Sequence, residues 1–296
     1  MIFESIPPWV FLGLGSSALS AFVLLAQEKF KADGFALAFW NKATCAVLMV
    51  PFLFIYGFPD NPVFYMLVAA NAVLWAISDV IFFRAIPIVG AGTVSRILPA
   101  AVILTFICWF IFDPALFHTY LQTPVRFGLI FLVLCLSTYF AMRIKNCRLS
   151  WQAVRLIWFV IFAATAGPIA MKLITQQSPM SQGPFAYVFV EAVFMMTLWG
   201  IYYMFRRPVP LITMTSWLSL KAGMTVGVIS AVMVGMNVMA IYHTDNPAYL
   251  PAIKFLDAIF ILWVYRWMGK KEDADIVAGL GIVGCAAALV ILKSLG

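Results

Sequence analysis

The sequence predicts an all-α integral membrane protein of ten transmembrane helices, arranged as a 5+5 inverted repeat. Three observations predict it. Of 296 residues, 64% are hydrophobic and only 10% charged, with mean hydropathy +1.00, whereas a soluble domain is roughly half apolar and a quarter charged. The chain divides into ten apolar runs, each near the roughly 20 residues a helix needs to cross the hydrocarbon core. And a tripeptide recurs at half the chain length, Leu98-Pro99-Ala100 returning as Leu250-Pro251-Ala252, 152 residues on.

The runs are 9–27, 35–57, 63–86, 90–112, 124–143, 153–172, 182–205, 216–242, 246–267 and 274–294. The first follows a segment with Glu4 and no Lys or Arg, so it lacks the charged region of a cleavable signal and is expected to stay as a span. Turn-like breaks separate several others: Lys31-Ala-Asp-Gly34, Phe58-Pro-Asp-Asn-Pro62, Gly90-Ala-Gly92 and Asp245-Asn-Pro247. Only helices or closed barrels satisfy the backbone in lipid, and the short alternating segments of a barrel are missing. Loops this short leave no soluble domain, so 1–296 is expected to be a single membrane domain, with repeats approximately 1–146 and 152–296. Ile77-Ser78 and Ile229-Ser230 share the 152-residue offset. Five spans per half, an odd number, forces the two copies into opposite orientations, which places a substrate site near the midplane between them.

The net charge of +7 is explained by membrane topology rather than by nucleic acid, because the basic residues cluster at span ends and not on one polar face. With the N-terminus outside, twelve Lys and Arg fall on the cytoplasmic side and three, Arg126, Lys172 and Lys293, on the other. Both termini are therefore expected to be non-cytoplasmic, and the bacterial inner membrane is the expected location. Cys45, Cys108, Cys135, Cys147 and Cys285 show no CxxC spacing and read as packing residues, while His118 and His243 lack metal-like neighbours. No metal, cofactor or nucleic-acid partner is expected. The expected partners are a small-molecule substrate and membrane lipids, with the chain a monomer or homodimer.

The layout resembles the drug/metabolite transporter superfamily, in its ten-span EamA-like group. The resemblance is carried by the 5+5 layout, by Leu-Pro early in spans 4 and 9, and by Gly269-Lys-Lys-Glu272 ahead of the glycine-rich Gly279-Leu-Gly-Ile-Val-Gly284. The last span also looks like the association helix of small multidrug resistance proteins. Where the group often has an arginine near the start of span 2 this chain has Asn41-Lys42, and Glu191 stands at the corresponding place in span 7. The resemblance implies transport of a metabolite, with export favoured because the group is rich in exporters. It names no cargo.

Ionisable groups inside spans are costly, about 2.5–3.5 kcal/mol on insertion scales, so each demands a reason. Lys42 and Lys221 lie near span ends, where a long side chain either reaches the headgroups or, for Lys42, serves as a substrate-binding residue. Asp79 and Arg96 flank the tight hairpin near Val89, and either fix it as an ion pair or serve the site. Lys254 and Asp257, three apart on span 9, are placed to pair. Arg96 and Lys254, roughly 9 and 12 Å of rise from opposite faces, are expected to converge on a central cavity as ligands for carboxylate or phosphate. Pro99 and Pro251 beside them are candidate hinges. Glu191, with no basic residue within four positions, is the expected proton carrier, with Asp79 and Asp257 behind it; the alternative is a carboxyl paired with Lys42 or Arg96. Trp75 could face the cavity or the lipid, and Asn71 and Asn237 are buried amides that either bond between helices or touch substrate. Most tryptophans read as interfacial belts, and Gly223-Met-Thr-Val-Gly227 as a close-packing motif.

The expected function is a secondary transporter of a small anionic or zwitterionic metabolite, coupled to protons and working by alternating access. A lipid or lipid-linked-precursor flippase with a laterally open cavity is the alternative. An intramembrane enzyme is disfavoured, since the sequence contains no nucleophile–base set or metal cluster.

Overall fold

The computed structural model describes residues 7–89, 99–143, 151–269 and 275–294. These residues form helices and turns, with no strand among them. In order the helices are α1 (Pro8–Phe30), α2 (Gly34–Tyr56), α3 (Pro62–Val89), α4 (Ala100–Phe112), α5 (Pro114–Gln122), α6 (Pro124–Arg143), α7 (Trp151–Thr175), α8 (Gly183–Arg206), α9 (Leu211–Met214), α10 (Trp217–Tyr242), α11 (Tyr249–Lys254), α12 (Asp257–Trp267) and α13 (Ile276–Ser294).

Local chemistry sets the ends. Asp33 caps α2, its carboxylate accepting from the backbone N–H groups of Phe35 at 2.9 Å and Ala36 at 3.0 Å. Ser216 caps α10 in the same way through Ser219 N–H. Gly57, at φ 76°, lets the chain leave α2 in a backbone conformation that disfavours a side chain. The three residues between α1 and α2, Lys31 to Asp33, leave α2 no path but back through the membrane.

Eight helices are long and apolar enough to cross a bilayer: α1, α2, Pro62–Ile81 of α3, α6, Ile157–Thr175 of α7, α8, α10 and Ile276–Lys293 of α13. The all-α membrane class follows directly. The two remaining expected spans take other forms. Span 4 is described from Pro99 onward, where α4 runs 13 residues and then turns 107° into α5. The turn is built by Asp113, whose carboxylate accepts from Leu116 N–H at 3.0 Å, and by Pro114 at the first position of α5. Span 9 is split at Phe255–Leu256, where Leu256 N–H bonds Ile253 carbonyl three residues back and tightens the helix. Gly90-Ala-Gly92 and 270–272 lie outside the described residues.

Sequential neighbours are not always spatial ones. Helix α10 wedges between α1 and α2; α3 packs on α7 and α8; α2 meets α8; α6 meets α13; α4 meets α7; and α1 meets α11 and α12. In lipid such contacts depend on close van der Waals packing rather than on water exclusion. Gly223 and Gly227 provide it: a Cβ on Gly223 would stand 2.2 Å from Trp40 Cβ, and one on Gly227 2.5 Å from Thr44 Cβ. The close-packing expectation for this motif therefore holds. At the end of the bundle where α1 begins, Trp9, Phe106, Tyr120, Ile130, Tyr249 and Leu250 form a buried ring-rich cluster that joins α1, α4, α5, α6 and α11. Exposed side chains such as Phe54, Ile55, Phe205, Ile212 and Trp267 point outward, as befits lipid-facing helices.

Candidate functional site

Polar side chains gather at two places inside the bundle. The first joins α2, α3 and α8. Lys42, about 12 Å of rise into α2, donates to Glu191 Oε2 at 2.6 Å. Tyr187, one turn earlier on α8, donates its hydroxyl hydrogen to Glu191 Oε1 at 2.6 Å, and Asn71 on α3 donates from Nδ2 to Tyr187 Oη, also at 2.6 Å. Asp79, two turns beyond Asn71, lies in the electrostatic field of both Lys42 and Glu191. Among the described residues it makes no hydrogen bond or ion pair.

This cluster changes two expectations. Lys42 does not snorkel; it turns inward, because an anionic partner within reach offers a desolvated ammonium more than the headgroups do. Glu191 is not a lone carboxylate, since its cation comes from a helix 149 residues away in sequence, so the pairing alternative is the one observed. Lys221, by contrast, is exposed, consistent with reaching the headgroups.

The second cluster joins α1, α10, α11 and α12. Lys254 ends α11 and Asp257 begins α12, and the two interact electrostatically across the Phe255–Leu256 turn. Ser20 donates to Asp257 Oδ2 at 3.2 Å and Ser17 to the Lys254 carbonyl at 3.3 Å. Ser16 donates to Asn237 Oδ1. Asn237 thus bonds between helices. Pro251 falls in the first turn of α11 and Pro99 caps α4, so both prolines start helices, where no backbone donor is missed. Arg96 lies outside the described residues.

Trp75 faces neighbouring helices rather than lipid: a Cβ on Gly167 of α7 would lie 2.5 Å from Trp75 Cζ2, and the ring packs with Ala72, Ala76, Met195 and Trp199. Trp158 and Trp263 are exposed, whereas Trp109 and Trp199 are buried within the bundle, so the belt reading does not fit those two. Trp199 donates to the Ala76 carbonyl at 3.2 Å instead.

Several members of these clusters escape sequence reasoning. Tyr187 is detectable as a polar group one turn from Glu191. Ser16, Ser17 and Ser20 are detectable as a polar stripe at helical spacing in an otherwise apolar span. The Tyr120–Tyr249 hydroxyl contact leaves no sequence signal, because it depends on the bend between α4 and α5. Among the described residues no group of His, Cys, Asp and Glu could hold a metal.

Lys42, Glu191, Tyr187 and Asn71 thus form one continuous hydrogen-bonded chain across α2, α8 and α3, with Asp79 in the field of its two charged members. No protein-family model matches the chain, and no curated protein matches it in sequence. Solved structures do match: one, described only as a crystal structure of a protein, superposes with a TM-score of 0.69 at 12% identity over 96% of this chain and 97% of its own. At that identity the likeness is one of fold, and it extends over nearly the whole of both chains.

Proposed function

We propose that the chain is a secondary transporter of a small anionic or zwitterionic metabolite, built as two inverted five-span halves that rock about the two polar clusters. The observation that carries this reading is the Lys42–Glu191 pair. Lys42 stands eight residues after the start of α2 and Glu191 eight after the start of α8, so the two halves meet through the same register position with opposite charge.

The packing supports the repeat. The first half would comprise α1, α2, α3, α4 and α6, and the second α7, α8, α10, α11–α12 and α13. Exchanging each span with its counterpart converts α1–α10 into α7–α3, α2–α10 into α8–α3, α4–α7 into α12–α1 and α4–α6 into α11–α13, and each of these contacts occurs. The α2–α8 and α6–α13 contacts map onto themselves. Each of the paired contacts α4–α7 and α1–α12 also carries a hydrogen bond: Thr105 donates to the Thr165 carbonyl at 3.1 Å, and Ser20 donates to Asp257 at 3.2 Å.

In this reading Lys254, with Arg96, holds the acidic end of the cargo. Glu191 is committed to Lys42, so the coupling proton passes to Asp79 and Asp257, which lack a cation in ion-pair contact among the described residues. The ring cluster of Trp9, Phe106, Tyr120 and Tyr249 closes one end between the halves, as alternating access requires of one face at a time. The basic residues Lys29, Lys31, Arg143, Arg206 and Arg266 end α1, α6, α8 and α12 at the opposite face, which supports a cytoplasmic position for that face and non-cytoplasmic termini.

The test is a thermal-shift screen of amino acids, carboxylates and sugar phosphates on the purified chain, followed by uptake of the hits into proteoliposomes. Lys254→Ala and Arg96→Ala should weaken the hits. If both variants bind every hit as well as wild type, the site is elsewhere.

A further inference from the structure

We propose that Asn71, Trp75 and Asp79, one stripe of α3 at i, i+4 and i+8 spacing, form a subsite for a positively charged nitrogen, so that the cargo carries an ammonium group. This rests on the transport reading above and deepens it from an anionic or zwitterionic solute to one bearing an amine.

The argument begins at Asn71, which is 1% exposed. The hydroxyl hydrogen of Tyr187 is committed to Glu191 Oε1, while Glu191 Oε2 accepts from Lys42 at 2.6 Å. Tyr187 Oη can therefore only accept from Asn71, and this fixes the amide with its NH2 toward Tyr187. Asn71 Oδ1 is then turned away from the tyrosine, and among the described residues it has no hydrogen-bond partner. A buried carbonyl oxygen without a donor is costly, and a ligand N–H removes that cost.

The two neighbours on the stripe favour positive charge on that donor. One turn on, Trp75 is pinned by Gly167 of α7, whose lack of a side chain lets the ring lie against the backbone there, and an indole face attracts cations. One turn further, Asp79 shares a single lysine with Glu191, and Lys42 is bound to Glu191. Two carboxylates facing one ammonium leave a negative excess among these groups. The Asn71 oxygen and the Trp75 face, one turn apart, suit contact with an ammonium, which carries donors and no acceptor, and Asp79, about 12 Å of rise from Asn71, favours its charge through the field and not by contact. They mismatch a phosphate or a second carboxylate. Lys254, in the other cluster, is left for the acidic end of a zwitterion.

The experiment uses the full chain and a matched panel: L-amino acids, the primary amines made by removing their carboxyl group, and the acids made by removing their amino group. Binding is read by thermal shift and calorimetry, and movement by uptake into proteoliposomes. The expected result is that compounds bearing the amine bind and the amine-free acids do not. Asp79→Asn, which is isosteric, should weaken the amine-bearing compounds about tenfold or more. Asn71→Ala should do the same. Lys254→Met should weaken the amino acids and spare the simple amines. Because Asn71→Ala also removes the bond to Tyr187, the decision falls to Asp79→Asn if the former does not fold. Binding and transport of amine-free acids, or unchanged amino-acid affinity in Asp79→Asn, overturns the subsite while leaving transport standing. Failure of every compound to bind or move counts against the transport reading as well.

Discussion

Replacing Glu191 by glutamine tests whether the Lys42–Glu191 contact is the joint between the two halves. The two side chains are 13% and 5% exposed and lie 2.6 Å apart, so neither charge can find water when its partner is removed. The substituted side chain could keep its one oxygen on Tyr187 and turn its NH2 to the Lys42 ammonium, or offer Lys42 a neutral oxygen and lose the bond from Tyr187. Breaking a buried pair from one side costs about 3–5 kcal/mol, and Asp79, already within the field of Lys42, holds the expected loss near the lower end, about 3 kcal/mol. Lys42→Met should cost a similar amount by leaving Glu191 with Tyr187 alone. The double variant removes both charges and should lie within about 1 kcal/mol of wild type. Those values give a coupling energy of about 5 kcal/mol in a double-mutant cycle. The assay is unfolding of purified protein in mixed micelles by increasing denaturing detergent, with tryptophan fluorescence as the probe. Additive losses, with coupling under about 0.5 kcal/mol, would refute the reasoning and reduce the pair to a coincidence of packing.

Four further outcomes are expected. Gly227→Val forces a side chain into the space beside Thr44 Cβ at 2.5 Å and the Asn41 carbonyl at 2.8 Å; the α2–α10 contact should lose about 1–3 kcal/mol, seen as early unfolding in the same titration, whereas Gly235→Val, beside open space, should be nearly silent. Arg126→Met removes the guanidinium bonds to the carbonyls of Leu292 at 3.0 Å and Lys293 at 3.3 Å and should fray the end of α13, measured as faster hydrogen exchange there. The neighbouring Lys293–Asp245 pair involves a half-exposed carboxylate, and Asp245→Asn should change stability by less than about 1 kcal/mol. Asp257→Asn should abolish flux driven by a pH gradient in proteoliposomes and spare exchange of cargo across equal pH; gradient-driven flux at wild-type rate would remove Asp257 from coupling.

The elements are legible where physics acts locally. Spans 1, 2, 3, 5, 6, 7, 8 and 10 are visible because a run of apolar residues of bilayer length has one stable outcome in lipid, and the structure places helices there. Spans 4 and 9 are visible as apolar runs but not in their form: the 107° turn into α5 depends on Asp113 and Pro114 acting together, and the split of span 9 depends on a tightened turn that hydropathy does not register. Gly223 and Gly227 are readable as a packing motif, although their partner, α2, is not. In the candidate site the charged residues stand out singly, because each is expensive in a membrane. Their pairings do not: read along the chain, Lys42 belongs with the headgroups and Glu191 stands alone.

By itself, then, the amino-acid order determined the solvent this chain occupies, the bounds of most of its helices and the short roster of groups that demand a reason inside lipid. Only the tertiary structure decided which of those groups meet. A buried charge is neutralised by whatever opposite charge folding brings within a few ångströms, and the separation of 149 positions between Lys42 and Glu191 carries no trace of that meeting. The same holds for Asn71 Oδ1, whose lack of a donor among the described residues follows from how Tyr187 and Glu191 are aligned in space.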